Sequence, residues 1–175
     1  MKLLFITFSI LALFSLPACK KDKTSNDDNL ISNPGFENNG VPDFSDWTGT
    51  KAFSNDVPPR GGKWSLQLVP EWYPSEGYAE TFVTSLSGYH TFQFSCETKA
   101  ENGTGRIIIR KKDQQGTIKD LSTTTFSDST WTTLTITIKV QLNPTDKLIV
   151  RLSAGSTELS LSKMLFDNVE LKIIN

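Results

Sequence analysis

Beyond residue 30 the chain alternates apolar and polar residues in several separate stretches. Phe92, Phe94 and Cys96 alternate with Gln93, Ser95 and Glu97, and the same period appears at Trp64–Leu68, at 134–140 and at 148–153. A period of two places one row of side chains on a core and the other in water, which is the pattern of a half-buried β-strand. No window of a dozen residues keeps its apolar positions at helical spacing. The pattern therefore predicts an all-β chain.

Turn-forming residues separate these stretches. They are Pro58-Pro59-Arg60-Gly61-Gly62, Ser87-Gly88, Asn102-Gly103, Gln115-Gly116 and Asn143-Pro144. Asn102-Gly103 is typical of the short loop of a β-hairpin. Short strands that recur with such punctuation favour a two-sheet antiparallel β-sandwich. Residues 30–175 are long enough to form this sandwich as one domain without a disulfide, and they contain no internal repeat.

The first 18 residues differ in character from the rest. Met1-Lys2 precedes an apolar stretch from Leu3 to Leu16 that is too short for a lasting membrane span, and small residues follow it. This order is that of a secretory signal peptide. Leu16-Pro17-Ala18-Cys19 resembles the lipobox of bacterial lipoproteins, which implies cleavage before Cys19 and lipidation of its sulfur. An ordinary signal peptide whose Cys19 later joins a disulfide is the alternative.

Residues 19–29 are polar after Cys19 and read as a flexible tether, because they hold too little apolar surface to offset the cost of ordering. Lys20 and the charged residues after it resemble the exported surface lipoproteins of Bacteroidota-type bacteria. This resemblance implies a lipid-anchored protein of the outer membrane that is exposed at the cell surface. The membrane partner would be held through acyl chains on Cys19.

Charge and composition exclude several functions. The 175 residues carry 18 Lys and Arg against 19 Asp and Glu, so no basic excess is available to bind nucleic acid. With one His and two Cys, the chain has too few of the residues that form zinc sites and most catalytic triads. His90 and Cys96 share the parity of Phe92, which predicts a partly buried histidine at a strand end and a buried thiol.

Three motifs in order resemble the galactose-binding-domain-like jelly rolls, in particular the carbohydrate-binding modules of families four, nine and twenty-two. The motifs are Leu30-Ile31-Ser32-Asn33-Pro34-Gly35-Phe36-Glu37, then Gly62-Lys63-Trp64-Ser65-Leu66-Gln67-Leu68, then Phe166-Asp167-Asn168-Val169-Glu170-Leu171. The resemblance covers residues 30–175. It implies a jelly-roll fold and non-catalytic binding of a polysaccharide or oligosaccharide.

The resemblance also implies a structural calcium ion. Glu37 and Asp167 match the two acidic ligands of those modules, and carbonyls near Gly35 and the Gly62-Lys63 turn would complete the set. Calcium accepts mixed carboxylate and carbonyl oxygens. Asp56 is the nearest residue to the position where a further acid is often found. In the alternative interpretation, Glu37 and Asp167 only hydrogen-bond neighbouring amides.

Aromatic residues in loops are the first candidates for contact with a sugar ring. Trp72 and Tyr73, with Tyr78 after them, lie in a proline-bounded stretch without alternation. Trp47, Trp64 and Trp131 are expected to be structural. Four outward-facing polar residues are candidates to line one sheet face beside the aromatic pair, with an ordinary solvated sheet surface as the alternative for each of them: Gln93, Glu97, Arg110 and Arg151.

The sequence thus favours a surface lipoprotein that binds glycan and is not an enzyme. Glu71, Glu76 and Glu80 carry carboxylates, but their spacing singles out no pair for glycoside hydrolysis. An interaction lipoprotein that uses the same fold to hold an envelope protein partner remains the alternative. The sequence leaves open whether a sheet face or a loop edge would bind.

Overall fold

The computed structural model describes residues 28–69, 76–154 and 162–174. The predicted signal peptide, Cys19 and the predicted tether up to residue 27 lie outside these ranges, as do Glu71, Trp72 and Tyr73. The described residues form twelve strands and no helix: β1 Glu37–Asn38, β2 Val41–Pro42, β3 Thr48–Gly49, β4 Phe53–Ser54, β5 Ser65–Leu68, β6 Tyr78–Val83, β7 Gly88–Glu101, β8 Gly105–Lys112, β9 Ile118–Phe126, β10 Thr132–Leu142, β11 Lys147–Ser153 and β12 Lys163–Ile173. In these ranges there is accordingly no helix long and apolar enough to cross a membrane.

Two five-stranded sheets stack into a sandwich, which confirms the predicted fold class. The front sheet has the strand order β3-β6-β11-β8-β9, and the back sheet has the order β10-β7-β12-β5-β4. Neighbouring strands within both sheets are antiparallel. Strands β1 and β2 form a separate small ribbon. The crossovers between sheets give the jelly-roll arrangement.

The inward rows of the two sheets form one core, as the alternation predicted. Phe92, Phe94 and Cys96 are fully buried on the back sheet, and Ile107 and Ile109 are fully buried on the front sheet. Burial of each such large side chain stabilises the fold by about 1.5–3 kcal/mol. Cys96 is therefore the buried thiol that its parity indicated.

The three tryptophans expected to be structural occupy different depths. Trp47 is buried at one end of the core and packs on Phe36 with ring centroids 5.0 Å apart. Trp64 and Trp131 are half-buried, and each indole N–H has an acceptor: the Gly40 carbonyl at 3.2 Å for Trp64 and a carboxylate at 2.8 Å for Trp131.

One predicted turn has a different role from the one expected. Asn102 and Gly103 both have positive φ, 59° and 141°, so a tight turn forms there. It does not close a hairpin, because β7 lies in the back sheet between β10 and β12 whereas β8 lies in the front sheet. The hairpin prediction is wrong because both neighbours of β7 come from later in the chain, so the chain must cross to the other sheet.

The last strand, β12, contains a bulge that shapes its surroundings. Its register against β7 shifts between Asp167 and Glu170, and Asn168 adopts a left-handed φ of 49°. A bulge bends a strand and redirects side chains beside it. Beyond the bulge the start of the domain runs beside β12, where Leu30 N–H donates to the Leu171 carbonyl at 2.8 Å.

Candidate functional site

The outer face of the front sheet carries charged side chains arranged in cross-strand rows. Glu80 on β6 lies opposite Arg151 on β11, and Arg151 lies opposite Ile108 on β8. In the next row Arg110 on β8 lies opposite Asp120 on β9. We call this surface the arginine face; its members are Glu76, Tyr78, Glu80, Arg106, Arg110, Asp120 and Arg151.

Ion pairs join these side chains across four strands. Arg151 donates through Nη1 to Glu80 Oε1 at 3.1 Å and through Nη2 to Glu76 Oε2 at 3.3 Å. Arg110 donates to the same Glu80 oxygen at 3.3 Å and through Nε to Asp120 Oδ1 at 2.8 Å. Arg106 pairs with the other oxygen of Glu76. Three guanidinium groups therefore face three carboxylates, and the surface is close to neutral.

Arg151 stands at the centre of the arginine face. Its guanidinium carbon lies 3.9 Å from the centroid of the Tyr78 ring, a cation–π contact. Its Nε is buried and has no hydrogen-bond partner in the described part of the chain. Ile108 points outward between the arginines, yet it is only 5% exposed, because the long side chains around it cover it. The guanidinium groups are thus held in place by packing as well as by charge.

The structure separates the four polar residues that were expected to share one face. Arg110 and Arg151 lie on the front sheet, whereas Gln93 and Glu97 lie on β7 in the back sheet. The two pairs therefore point in opposite directions from the sandwich, and the expectation of a single face is wrong. Alternation along a strand distinguishes inside from outside, but it does not say which sheet a strand joins.

Glu37 and Asp167, the two acids of the expected calcium site, come together where the loop 58–63 crosses the back sheet. The Lys63 backbone N–H donates to Glu37 Oε2 at 2.6 Å. A Cβ on Gly35 would lie 3.7 Å from Asp167 Oδ1, and side chains on Gly61 or Gly62 would run into the Asp167 and Glu37 carboxylates. Glycine at these two turn positions lets the backbone pass directly over both acids.

Asp167 is buried without enough partners for its charge. Oδ1 accepts the Asn168 N–H at 2.8 Å, but Oδ2 is buried with no hydrogen-bond partner among the described residues. Burial raises the pKa of Asp167 to about 7, and the negative charges of Glu97 and Glu37 add to the rise against the opposing Asn168 hydrogen bond. A cation would supply the missing partner, so the residues present fit a calcium ion.

Two further residues of the predicted metal set have contacts of their own. Lys63, whose turn was expected to offer a carbonyl, also donates its backbone N–H to Glu37. Asp56 is held elsewhere, since its carboxylate accepts the Lys99 ammonium at 2.5 Å and the Trp131 indole N–H at 2.8 Å. No third His, Cys, Asp or Glu completes a metal cluster in the ranges that the structure describes. Carbonyl oxygens would have to complete the calcium shell.

A groove of about 500 Å³ opens on the outer face of the back sheet, beside the β12 bulge. Ser95, Glu97 and Thr133 form part of its floor, Asn168 lies at the bulge, and Arg60 stands at its rim. We call it the back groove. It places Glu97, one of the predicted binding residues, in a concave site, and it leaves Gln93 exposed outside its lining.

The remaining chemistry on the surface is sparse. His90 is half-buried at the start of β7, as predicted, with Nε2 2.8 Å from the Ser87 carbonyl. Glu76 and Glu80 are both engaged by arginines, so neither is an obvious free acid. Sequence reasoning missed Arg106, which shares the parity of Arg110 four residues later, and it missed Arg60, whose proline turn gave no sign of an adjacent groove.

Comparisons with known proteins identify no family: no family model matches the chain, and no curated protein matches it. Solved structures do match. The enzymatically active domain of tailspike protein 4 from bacteriophage CBA120 is 21% identical at a TM-score of 0.61. The match covers 83% of this chain but only 21% of the tailspike chain. A family 61 carbohydrate-binding module solved with β-1,4-galactotriose is 17% identical at a TM-score of 0.54, covering 83% and 99% of the two chains.

The xylan-binding CBM22-1 domain of Paenibacillus barcinonensis Xyn10C is a third structure of this kind. It is 16% identical at a TM-score of 0.52, and the match covers 74% of this chain and 86% of that domain. At such low identities the likeness concerns the fold alone. The chain therefore has the β-sandwich fold of carbohydrate-binding modules.

Proposed function

We propose that this chain is a non-catalytic glycan-binding protein whose arginine face holds the sugar. The observation that carries the proposal is the network of three arginines and three carboxylates, fixed across four strands and joined to the Tyr78 ring. A fixed array of donors and acceptors loses little entropy on binding, which favours recognition of a polyhydroxylated chain. The folds of the neighbouring carbohydrate-binding modules support the same function.

The charge balance of the arginine face favours a neutral glycan. Each guanidinium has five N–H groups and spends only one or two of them on the carboxylates, so donors remain for sugar hydroxyls. An acidic sugar would meet Glu76, Glu80 and Asp120, and a cationic one would meet the arginines. Tyr78, together with Trp72 and Tyr73 from the segment just before Glu76, would supply aromatic surface for the rings.

The proposal extends to location and to a metal ion. The lipobox-like segment ending at Cys19 supports lipid anchoring at the outer membrane, and loss of fatty-acid labelling in Cys19→Ser would test it. Glu37 and Asp167, with backbone carbonyls near Gly35 and the Gly62-Lys63 turn, would hold calcium. The ion would neutralise the buried Asp167 carboxylate together with the half-buried Glu37 carboxylate, and it would fix the loop 58–63 against β12.

Retention on insoluble polysaccharide tests the glycan proposal. The full chain, in a detergent without a sugar headgroup, is expected to be retained on at least one of xylan, β-1,4-galactan or cellulose. Tyr78→Ala and Arg110→Gln are expected to weaken retention about tenfold each, the loss from removing one charged or stacking contact. Trp72→Ala and Tyr73→Ala test the adjoining aromatic pair in the same assay.

Lys139→Gln is the matched control, because Lys139 is exposed on the back sheet whereas Arg110 lies on the front sheet. Melting temperatures of all variants should stay close to that of the parent chain. If none of these polysaccharides retains the parent and a glycan array is also blank, the proposal fails. Recovery of an envelope protein by crosslinking would then favour the protein-binding alternative.

A further inference from the structure

We infer that the back groove is a second ligand site, which takes a short neutral saccharide on the side of the sandwich opposite the arginine face. The inference rests on the proposed function only in its choice of ligand class. The groove itself is defined by its shape and by the polar groups that converge in it. Its volume of about 500 Å³ lies within the range of small-ligand sites, about 300–1,000 Å³.

The floor of the groove consists of hydroxyl and carboxylate groups on adjacent strands. Glu97 on β7 lies opposite Thr133 on β10 on one side and opposite Asp167 on β12 on the other. Ser95, two residues earlier on the same face, lies opposite Glu170. Strands β10 and β7 therefore present Thr133, Glu97 and Ser95 as one continuous polar surface.

The bulge of β12 brings an amide to this surface. With its left-handed backbone, Asn168 directs its side chain toward β7, where Nδ2 donates to Glu97 Oε2 at 2.8 Å. This bond fixes the Glu97 carboxylate and leaves Asn168 Oδ1 as an acceptor. Within the described residues Glu97 Oε1 takes part in no hydrogen bond. A bulge that redirects a side chain beside a cavity is a common feature of binding sites.

Arg60 supplies donors from above. It occupies the third position of the turn Pro58-Pro59-Arg60-Gly61, which is closed by the Gly61 N–H on the Pro58 carbonyl at 2.8 Å. Its side chain is exposed at the groove and forms no hydrogen bond or ion pair with any residue that the structure describes. The proline turn thus places Arg60 at the groove with all five N–H groups of its guanidinium available.

These groups match adjacent hydroxyls better than they match a charged ligand. A sugar hydroxyl both donates and accepts, and the groove offers acceptors at Glu97 and Asn168 beside donors at Arg60 and the Ser95 and Thr133 hydroxyls. A carboxylate ligand would face Glu97 and Glu170, and a cation would face Arg60. Pro34, which is exposed at the groove, adds an apolar surface for the carbon face of a ring.

Amide chemical shifts of the ¹⁵N-labelled full chain test the inference residue by residue. The probes are D-galactose, D-xylose, D-glucose and D-mannose, each titrated to tens of millimolar in a detergent without a sugar headgroup. At least one sugar is expected to shift the resonances of Ser95, Glu97 and Asn168. Glu97→Gln is expected to weaken that binding about tenfold, since it removes a charged acceptor. Arg60→Gln should weaken it to a similar extent.

Two controls separate this site from the arginine face. Glu101→Gln changes a carboxylate on the same strand and the same face outside the groove lining, and it should leave the binding unchanged. Arg110→Gln should also leave the groove shifts unchanged, although it weakens retention on polysaccharide. Shifts confined to the arginine face, or no shifts with any of the four sugars, would overturn the inference even if polysaccharide retention shows that the chain binds glycan. If the groove shifts appear without polysaccharide retention, the second site stands and the proposed function of the arginine face does not.

Discussion

Asp56 illustrates how one carboxylate can hold a surface aromatic in place. It bridges the Lys99 ammonium at 2.5 Å and the Trp131 indole N–H at 2.8 Å, although its own side chain is about one-third exposed. Desolvation acts to raise the pKa of Asp56, but the hydrogen bonds from Lys99 and Trp131 together lower it below its ordinary value of 3.8. The ionised form is therefore the one that the fold stabilises.

The lowered pKa of Asp56 predicts a stability effect that depends on pH. Because the folded pKa is below the unfolded one, the contribution is present above about pH 3.8 and is lost as the pH falls through the folded pKa. Asp56→Asn is expected to lower the melting temperature by a few degrees near pH 7. The difference from the parent should shrink progressively below pH 3.8.

Asp128→Asn serves as the comparison for Asp56→Asn, because the Asp128 side chain is exposed and forms no ion pair with any residue that the structure describes. Its melting curve should follow the parent at every pH. A constant gap between Asp56→Asn and the parent from pH 7 to pH 2 would show that the charge of Asp56 is not what stabilises the contact.

Where β5 no longer pairs with β12, one side chain supplies two of the hydrogen bonds to β12. Strand β5 accompanies β12 only at Met164–Phe166, and the start of the domain takes its place farther along. Asn29 Nδ2 donates to the Val169 carbonyl at 3.0 Å, and Asn29 Oδ1 accepts the Leu171 N–H at 2.9 Å. The Asn29 side-chain amide thus forms the two hydrogen bonds that the backbone of a neighbouring strand would otherwise form.

Removal of this amide should destabilise the domain. Asn29→Ala leaves a donor and an acceptor of β12 without partners, at a cost of about 1–3 kcal/mol in the free energy of unfolding. Urea denaturation followed by tryptophan fluorescence measures the change. Asn38→Ala, at an exposed position, should cost far less. Equal effects of the two substitutions would show that solvent replaces the bonds of Asn29 without loss.

The strands were predictable from sequence and the binding surfaces were not, for one physical reason. Parity within β7 correctly placed Phe92, Phe94 and Cys96 inside and Glu97 outside. Parity says nothing about which strand becomes the neighbour, so Glu97 and Arg151 were assigned to one face although they belong to opposite sheets. The back groove depends on the register shift of β12 and on a turn from a distant loop, neither of which leaves a local signal.

At the scale of the whole molecule, the loop 58–63 and both ends of the domain meet around Asp167. Gly35 lies near one Asp167 oxygen, Gly61 lies near the other, and Glu37 is held by the Lys63 amide. Two carboxylates with one buried orphan oxygen lie at this junction. The proposed calcium ion would therefore couple the beginning, the middle and the end of the chain.

Calcium is expected to raise the melting temperature of the full chain, and chelation should reverse the rise. At one hundred times its dissociation constant a bound ion adds about 2.7 kcal/mol to the stability of the folded state. Asp167→Asn should remove the calcium response without lowering the melting temperature measured in chelator, because it replaces an unfavourably buried charge.

Glu101→Gln, on the same sheet but away from the two acids, should keep the full calcium response. Differential scanning calorimetry of the three proteins, in calcium and in chelator, measures the effect. If the melting temperature of the parent chain is the same in calcium and in chelator, the proposed calcium site at Glu37 and Asp167 is wrong.

The place where the chain enters the domain determines how the domain would carry a mechanical load. The entering segment is bonded to β12, the central strand of the back sheet, through Asn29 and Leu30. If lipid holds the chain on its N-terminal side while a glycan pulls on the opposite sheet, tension passes through the bonds of Asn29 and Leu30 into β12, which pairs with β7 along most of its length and with β5 at Met164–Phe166. Such a strand must break many backbone bonds at once, whereas an edge strand can peel away one bond at a time. The domain would thus be held by an interior strand of the back sheet and not by an edge strand.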